Sequence, residues 1–99
     1  MFKNINQEEY LEMIQQPDVL AIDVRSDEEC AAFQFPNSMQ GFCWNSGAFY
    51  DRLDELDKDK KIILLCRSGS RSMQACLFLA SNGFEHLYNL EGGLLAWQN

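Results

Sequence analysis

Lys61-Ile62-Ile63-Leu64-Leu65-Cys66-Arg67-Ser68-Gly69-Ser70-Arg71-Ser72 is the stretch that decides how this chain folds. Its first half is an apolar run that follows the polar connector Asp57-Lys58-Asp59-Lys60, and such a run suits a strand covered on both faces. From Ser70 to Ser81 the apolar residues Met73, Leu77 and Ala80 recur at helical spacing, and Asn82-Gly83 supplies a left-handed stop. A buried strand, a short glycine loop and a helix in succession form half of a parallel β–α unit.

Outward from this unit the same alternation continues. Asn6-Gln7-Glu8-Glu9 opens a helix with a capping Asn and an acidic residue three positions on, and Pro17 closes that segment. Val19-Leu20-Ala21-Ile22-Asp23-Val24 reads as a second buried strand, and Ser26-Asp27-Glu28-Glu29 repeats the capping signature before a short helix. Pro36, Asn37 and Gly41 mark turns around a short strand expected near Met39 to Cys43. Residues 48–56 are amphipathic and helical, 85–90 form a last strand, and Gly92-Gly93 leads into a short helix ending at Trp97. The pattern predicts one α/β domain spanning residues 1–99, with a mainly parallel sheet.

The loop between the best strand and the best helix carries the candidate chemistry. Ligands of open parallel sheets bind beyond the carboxyl ends of the strands. The helix starting near Ser70 to Ser72 turns its unpaired N–H groups back toward Cys66, and Gly69 permits a tight turn whose amides face inward as an anion nest. Helix N-termini and neighbouring cations pull a cysteine thiol from about 8.5 into the range of about 3.5–7.5, so Cys66 is read as an activated thiolate. Arg67 and Arg71 are then the residues to orient a small anion. For a cysteine without these neighbours, a packed strand-end residue would be the better reading.

Charge and cysteine usage narrow the classes. Fifteen acidic against eight basic residues give a formal charge of -7, which argues against broad binding to nucleic acid or anionic lipid. No apolar run approaches the roughly 20 residues of a membrane-spanning helix, and Met1 to Asn6 lacks the apolar stretch of a secretory signal, so a cytoplasmic protein is expected. Cys30, Cys43, Cys66 and Cys76 form no CxxC pair and His86 is the one histidine, so free thiols are expected and neither a metal nor an organic cofactor is. Cys30 and Cys76 read as packing residues, and Cys43 as a candidate to resolve an adduct on Cys66.

Three ordered segments carry a resemblance. Cys66 to Ser72 is similar to the active-site loop of single-domain rhodaneses. Ile22-Asp23-Val24-Arg25-Ser26 with Glu28-Glu29 resembles the family's first signature, and Asn89-Leu90-Glu91-Gly92-Gly93-Leu94-Leu95-Ala96-Trp97 its C-terminal one. The resemblance implies a five-stranded, mostly parallel sheet with helices on both faces. It also implies a sulfurtransferase in which Cys66 takes sulfane sulfur from a donor such as thiosulfate and passes it, through a persulfide, to a thiol or cyanide. Amides of Arg67, Ser68, Gly69, Ser70, Arg71 and Ser72 would cradle the sulfur, with Arg67 and Arg71 on the donor anion, while Asp23 and Arg25 tie a strand end to neighbouring loops. Leu94, Leu95 and Trp97 would help close the core. One departure stands out: Phe33-Gln34-Phe35-Pro36-Asn37-Ser38 replaces the family's Gly-His-Ile-Pro-Gly-Ala, with Asn37 expected to turn left-handed and Gln34 to supply hydrogen bonds in place of the histidine.

Two other functions fit part of the pattern. Phosphatases and arsenate reductases of related fold use Cys-x5-Arg loops, but here Arg71 arrives one residue early and Leu65 precedes the cysteine. A protein-to-protein sulfur carrier or docking module, serving a sulfur-relay partner, would keep Cys66 and differ in its donor.

Overall fold

The computed structural model describes residues 1–99. Five strands, β1 (Phe2–Ile5), β2 (Val19–Asp23), β3 (Ser38–Met39), β4 (Lys61–Leu65) and β5 (Leu87–Leu90), form one sheet in the order β1-β5-β4-β2-β3. Every pairing is parallel, with Ile22 opposite Leu64, Ile63 opposite Tyr88 and Asn4 opposite Asn89. The α-helices are α1 (Gln7–Met13), α2 (Asp27–Ala32), α3 (Ala48–Asp51) and α4 (Ser70–Ser81).

β4 sits at the centre of the sheet, and its alternation builds two cores. Ile62, Leu64 and Cys66 face Ala75, Cys76 and Leu79 of α4, together with Phe42 and Phe49. Ile63 and Leu65 face the opposite way, toward Tyr10 of α1 and Phe35. A residue period of two is what a strand covered on both faces requires. Asn6 and Ser26 each close a capping box, with Glu9 and Glu29 as the reciprocal acceptors, so both helix starts read from the sequence are present.

Several expectations are corrected. β1 was not foreseen: Lys3 and Asn4 are exposed, and an edge strand leaves no alternating apolar signature. The strand expected near residues 39–43 is only the pair Ser38–Met39, because the chain leaves the sheet at Gly41 with φ +85°. The helix over 48–56 breaks at Arg52 into α3 and a 3-10 turn, Leu53–Glu55. In α4 the buried face is Ser72, Ala75, Cys76 and Leu79, whereas Met73 and Leu77 are exposed. Leu95 is exposed as well, and Leu94 and Trp97 pack without it.

The departure at residues 33–38 has a packing cause. The Phe33 ring lies 6.0 Å from Trp97 and 5.4 Å from Phe35, within an aromatic group that also includes Tyr10. Asn37 takes the left-handed conformation, φ 57°. Gln34, expected to replace the missing histidine, is exposed and makes no hydrogen bond within the chain. The aromatic contacts fill the place instead.

At the C-terminal signature the backbone closes against the loop after β4. Leu94 N–H donates to the Cys66 carbonyl at 3.1 Å and Leu95 N–H to the Arg67 carbonyl at 3.0 Å. Gly93, at φ +53°, makes this approach possible: a Cβ there would lie 2.7 Å from the Arg67 carbonyl oxygen and closer still to that of Cys66. Gly93→Ala is therefore expected to lower stability by at least about 1–3 kcal/mol, combining backbone strain with a clash against backbone atoms. Urea unfolding with unchanged slope checks this, and an unshifted midpoint would mean the turn yields freely.

Candidate active site

Cys66 lies at the carboxyl end of β4, where the chain leaves the sheet, and is buried along with Gly69 and Ser72. Its Sγ accepts the Gly69 N–H at 3.0 Å and lies 3.1 Å from Ser72 Oγ. Gly69 holds φ +94° at the N-cap of α4, with Asn89 Nδ2 and the Gly92 backbone packed around it. Because Leu94 and Leu95 take the carbonyls of Cys66 and Arg67, the N–H groups of Arg67 and Ser68 in those two peptide planes are turned away from the C-terminal turn. The N–H groups of Arg67, Ser68, Arg71 and Ser72 donate to no acceptor elsewhere in the chain. Amides so oriented favour a negative charge at their focus.

The two arginines part company. Arg71 binds Glu29 of α2 through both guanidinium nitrogens, at 2.8 and 2.9 Å. That bond holds the Glu29 carboxyl down to about 2, with the Ser26 N–H and hydroxyl assisting against a smaller desolvation effect. Glu29 thus serves two partners 45 residues apart in sequence, the N-cap of α2 and the loop after β4. Arg67 is exposed and has no carboxylate partner, unlike Arg25, Arg52 and Arg71. The expected pair of free arginines is therefore one free and one committed. Ser68 and Ser70 are exposed, and the Ser70 N–H turns to Ser68 Oγ at 3.4 Å.

Asp23 and Arg25 do the joining expected of them. Arg25 Nε contacts both Asp23 oxygens at 3.0 and 3.1 Å, and Nη2 donates to Asp23 at 2.7 Å and to the Phe33 carbonyl at 2.6 Å. With Nη1 on the Glu29 carbonyl, the guanidinium fastens the end of α2 to the end of β2. The charge is fully buried yet hydrogen-bonded around its rim, as an internal ion pair needs.

The other thiols are free and differ in setting. Burial pushes Cys30 up to about 11, with Asp23 adding to it, and Cys76 up to about 12, with Cys66 adding to it. Both are core residues, and at Cys30 the opposing pull of Arg25 is outweighed by burial and Asp23. Cys43 borders a shallow cleft with Ser26, Asp27, Glu28 and Ser46 beside α2. Nothing joins it to Cys66 by hydrogen bond. His86 is exposed at the far end of β5, away from the loop.

Two further residues join the site in the fold. Asn89 opens the C-terminal signature, and the signal that marks it is an amide inside the apolar strand Leu87-Tyr88-Asn89-Leu90. Glu29 was read as a capping residue, and its second partner leaves no trace in local sequence. Since folding favours ionised Glu29, its stabilisation is complete above about pH 5 and fades as pH falls toward 2. Glu29→Gln should lower stability at neutral pH and flatten the loss of stability across that acid window. Parallel acid titrations of the two proteins would expose the opposite result, an unchanged slope.

The comparisons agree with this geometry. The model of the rhodanese-like domain matches residues 6–99. The Bacillus subtilis protein YtwF is 40% identical over 81 residues, covering 82% of this chain and 75% of its own. A sulfurtransferase of Allochromatium vinosum is 38% identical over 80 residues, covering 81% and 72%. The crystal structure of a rhodanese-like domain protein from Staphylococcus aureus superposes with a TM-score of 0.83 at 30% identity, covering 98% of this chain and 92% of that one. With all five strands, the loop and both flanking signatures in place, the chain belongs to the rhodanese-like domain family.

Proposed function

We propose that this protein is a sulfurtransferase that carries sulfane sulfur on Cys66. The observation that carries the reading is the sulfur's position: Sγ ends the central strand with the Gly69 N–H on it and four further loop N–H groups unspent. A thiolate attacks the outer sulfur of thiosulfate, forming the S–S bond of a Cys66 persulfide while the bond to sulfite breaks and sulfite leaves with its electron pair. The persulfide bears its negative charge on the added sulfur, within reach of those amides. Cyanide or a thiolate then takes the outer sulfur, and the Cys66 thiolate returns.

Arg67 is the residue to meet the donor. It is a cation without a carboxylate partner on the loop itself, so a small dianion finds a local attraction beside the cysteine of a protein whose net charge is -7. Arg71, held by Glu29, contributes field and position. Its commitment also weighs against a phosphatase, since an oxyanion loop needs that guanidinium for its substrate. Because Cys66 has no exposed surface, the donor reaches Sγ only as the groups above the loop give way.

A protein donor or acceptor is the second reading. Met73 and Leu77 favour it, as two apolar side chains one helical turn apart on the solvent side of α4, directly after the loop.

Incubation with thiosulfate followed by intact-mass measurement tests the chemistry. The expected result is a gain of about 32 Da that reductant removes and that Cys66→Ser abolishes. A gain that persists in Cys66→Ser would move the carrier elsewhere, and failure of every sulfane donor would reject the reading. Arg67→Ala should raise KM for thiosulfate about tenfold or more with a smaller change in kcat, the loss of one charge-assisted contact. Steady-state kinetics at fixed ionic strength measures it.

A further inference from the structure

Behind Cys66 runs a chain of polar groups with no charge of its own, buried at Ser72 and Asn89 and reaching the surface at Asn4. Ser72 Oγ lies 3.1 Å from Cys66 Sγ and donates to Asn89 Oδ1 at 2.5 Å. Asn89 Nδ2 donates in turn to Asn4 Oδ1 at 3.0 Å and to the Gly69 carbonyl at 3.4 Å. The Gly69 carbonyl can only accept, so it fixes the amide with nitrogen toward the loop and oxygen toward Ser72. That oxygen also can only accept. The single hydroxyl proton of Ser72 is therefore spent on Asn89, and whenever the sulfur carries a proton the S–H is the donor in the contact between them.

We propose that Asn89 is a positioning residue for the reaction: it holds the Ser72 proton away from Cys66, so that this hydroxyl can only accept from the sulfur side. The consequence is a two-position hydroxyl. When the thiol proton passes to a solvent base, Ser72 loses the donor it was accepting from, and it can steady the sulfur anion only by turning its O–H from Asn89 to Sγ. That turn leaves Asn89 Oδ1, in a residue only 4% exposed, without its donor. Asn89 and the sulfur anion compete for one proton.

The charged and titratable groups around Cys66 do not alter this competition. They are Arg71 with its partner Glu29 from α2, Arg67 on the loop, Cys76 from α4 and Cys43 from the connection after β3. All of them stay in place when residue 89 alone is changed. The inference rests on the reading of Cys66 as the sulfur carrier for its role in catalysis, whereas the hydrogen-bond direction stands apart from that reading.

Two readouts follow. The S–H stretching band of Cys66, taken as the infrared difference between the wild type and Cys66→Ser, reports donation to Ser72 with no donor substrate present. In Asn89→Ala the freed hydroxyl turns toward sulfur, and the band should move to higher frequency or vanish. Asn89→Asp keeps an acceptor for the Ser72 hydroxyl while giving up the Nδ2 bonds to Asn4 and the Gly69 carbonyl, so the band should stay low. The rate of persulfide loading near pH 6, from single-turnover mixing with thiosulfate, should rise about tenfold in Asn89→Ala and fall in Asn89→Asp, on the scale of one hydrogen bond. The effect of Asn89→Ala should disappear in a Ser72→Ala background.

A merely structural amide would lower the unfolding midpoint but leave the band and the pH profile where they were, and that outcome overturns the proposal. So does an equal effect of residue 89 with Ser72 absent. Should Asn89→Ala fail to fold, Asn89→Asp decides by the same two readouts. If thiosulfate never loads the wild type, the infrared band still decides the hydrogen-bond direction while the sulfurtransferase reading falls.

Discussion

Two backbone hydrogen bonds organise the site: Leu94 N–H to the Cys66 carbonyl and Leu95 N–H to the Arg67 carbonyl. A peptide plane has two polar edges, and fixing where the carbonyl points fixes where the amide on the other side points. With these two carbonyls drawn toward the C-terminal turn, the amides of Arg67 and Ser68 point away from it, and the Gly69 N–H meets the sulfur. The approach requires a residue without a Cβ at position 93, which is why Gly93 sits between the last strand and the clamp. The C-terminal turn thus shapes a loop 28 residues upstream through backbone groups alone.

A second fastening works from the opposite side of the sheet. The buried Asp23–Arg25 pair orients α2 by holding the carbonyls of Glu29 and Phe33. Once α2 is so placed, Glu29 can serve both its own helix start and Arg71. A carboxylate shared in this way ties two loops more firmly than two separate surface pairs would, because neither contact can form unless the other element is already in register. The loop after β4 is consequently held through its carbonyls, its arginine and its serine by three different elements.

How much of this was legible in the sequence divides along a physical line. Signals that act within one turn or one strand were readable: the capping boxes at Asn6 and Ser26, the apolar run of β4, and the left-handed turns at Asn37 and Gly83. Signals that arise from pairing were not. β1 is a strand because β5 offers it hydrogen bonds, and nothing in Phe2-Lys3-Asn4-Ile5 announces that. The buried face of α4 lay one step away from the Met73–Leu77 stripe because Cys66 and Ser72 set the rotation of that helix. In the candidate site, local chemistry pointed to Cys66 at the strand end and to the left-handed Gly69, whose N–H meets the sulfur. It could not tell Arg67 from Arg71, since the difference is Glu29, 42 residues earlier.

That distinction bears on how an acidic protein can receive an anion at all. Of its four arginines, three are neutralised in pairs, with Asp23, Glu55 and Glu29, and only Arg67 has its charge unmatched. The surface as a whole carries excess negative charge, but the Arg67 charge stands on the loop beside the cysteine, and screening over a Debye length of about 8 Å keeps distant carboxylates from cancelling it. Further inward the positive potential is supplied by amides, which carry no counter-ion and cannot be titrated away. An anionic sulfur donor would then pass from a mobile charge at the rim to fixed dipoles at the sulfur. Such a gradient suits exchange, because the outer charge can release the spent anion while the inner dipoles retain the transferred atom.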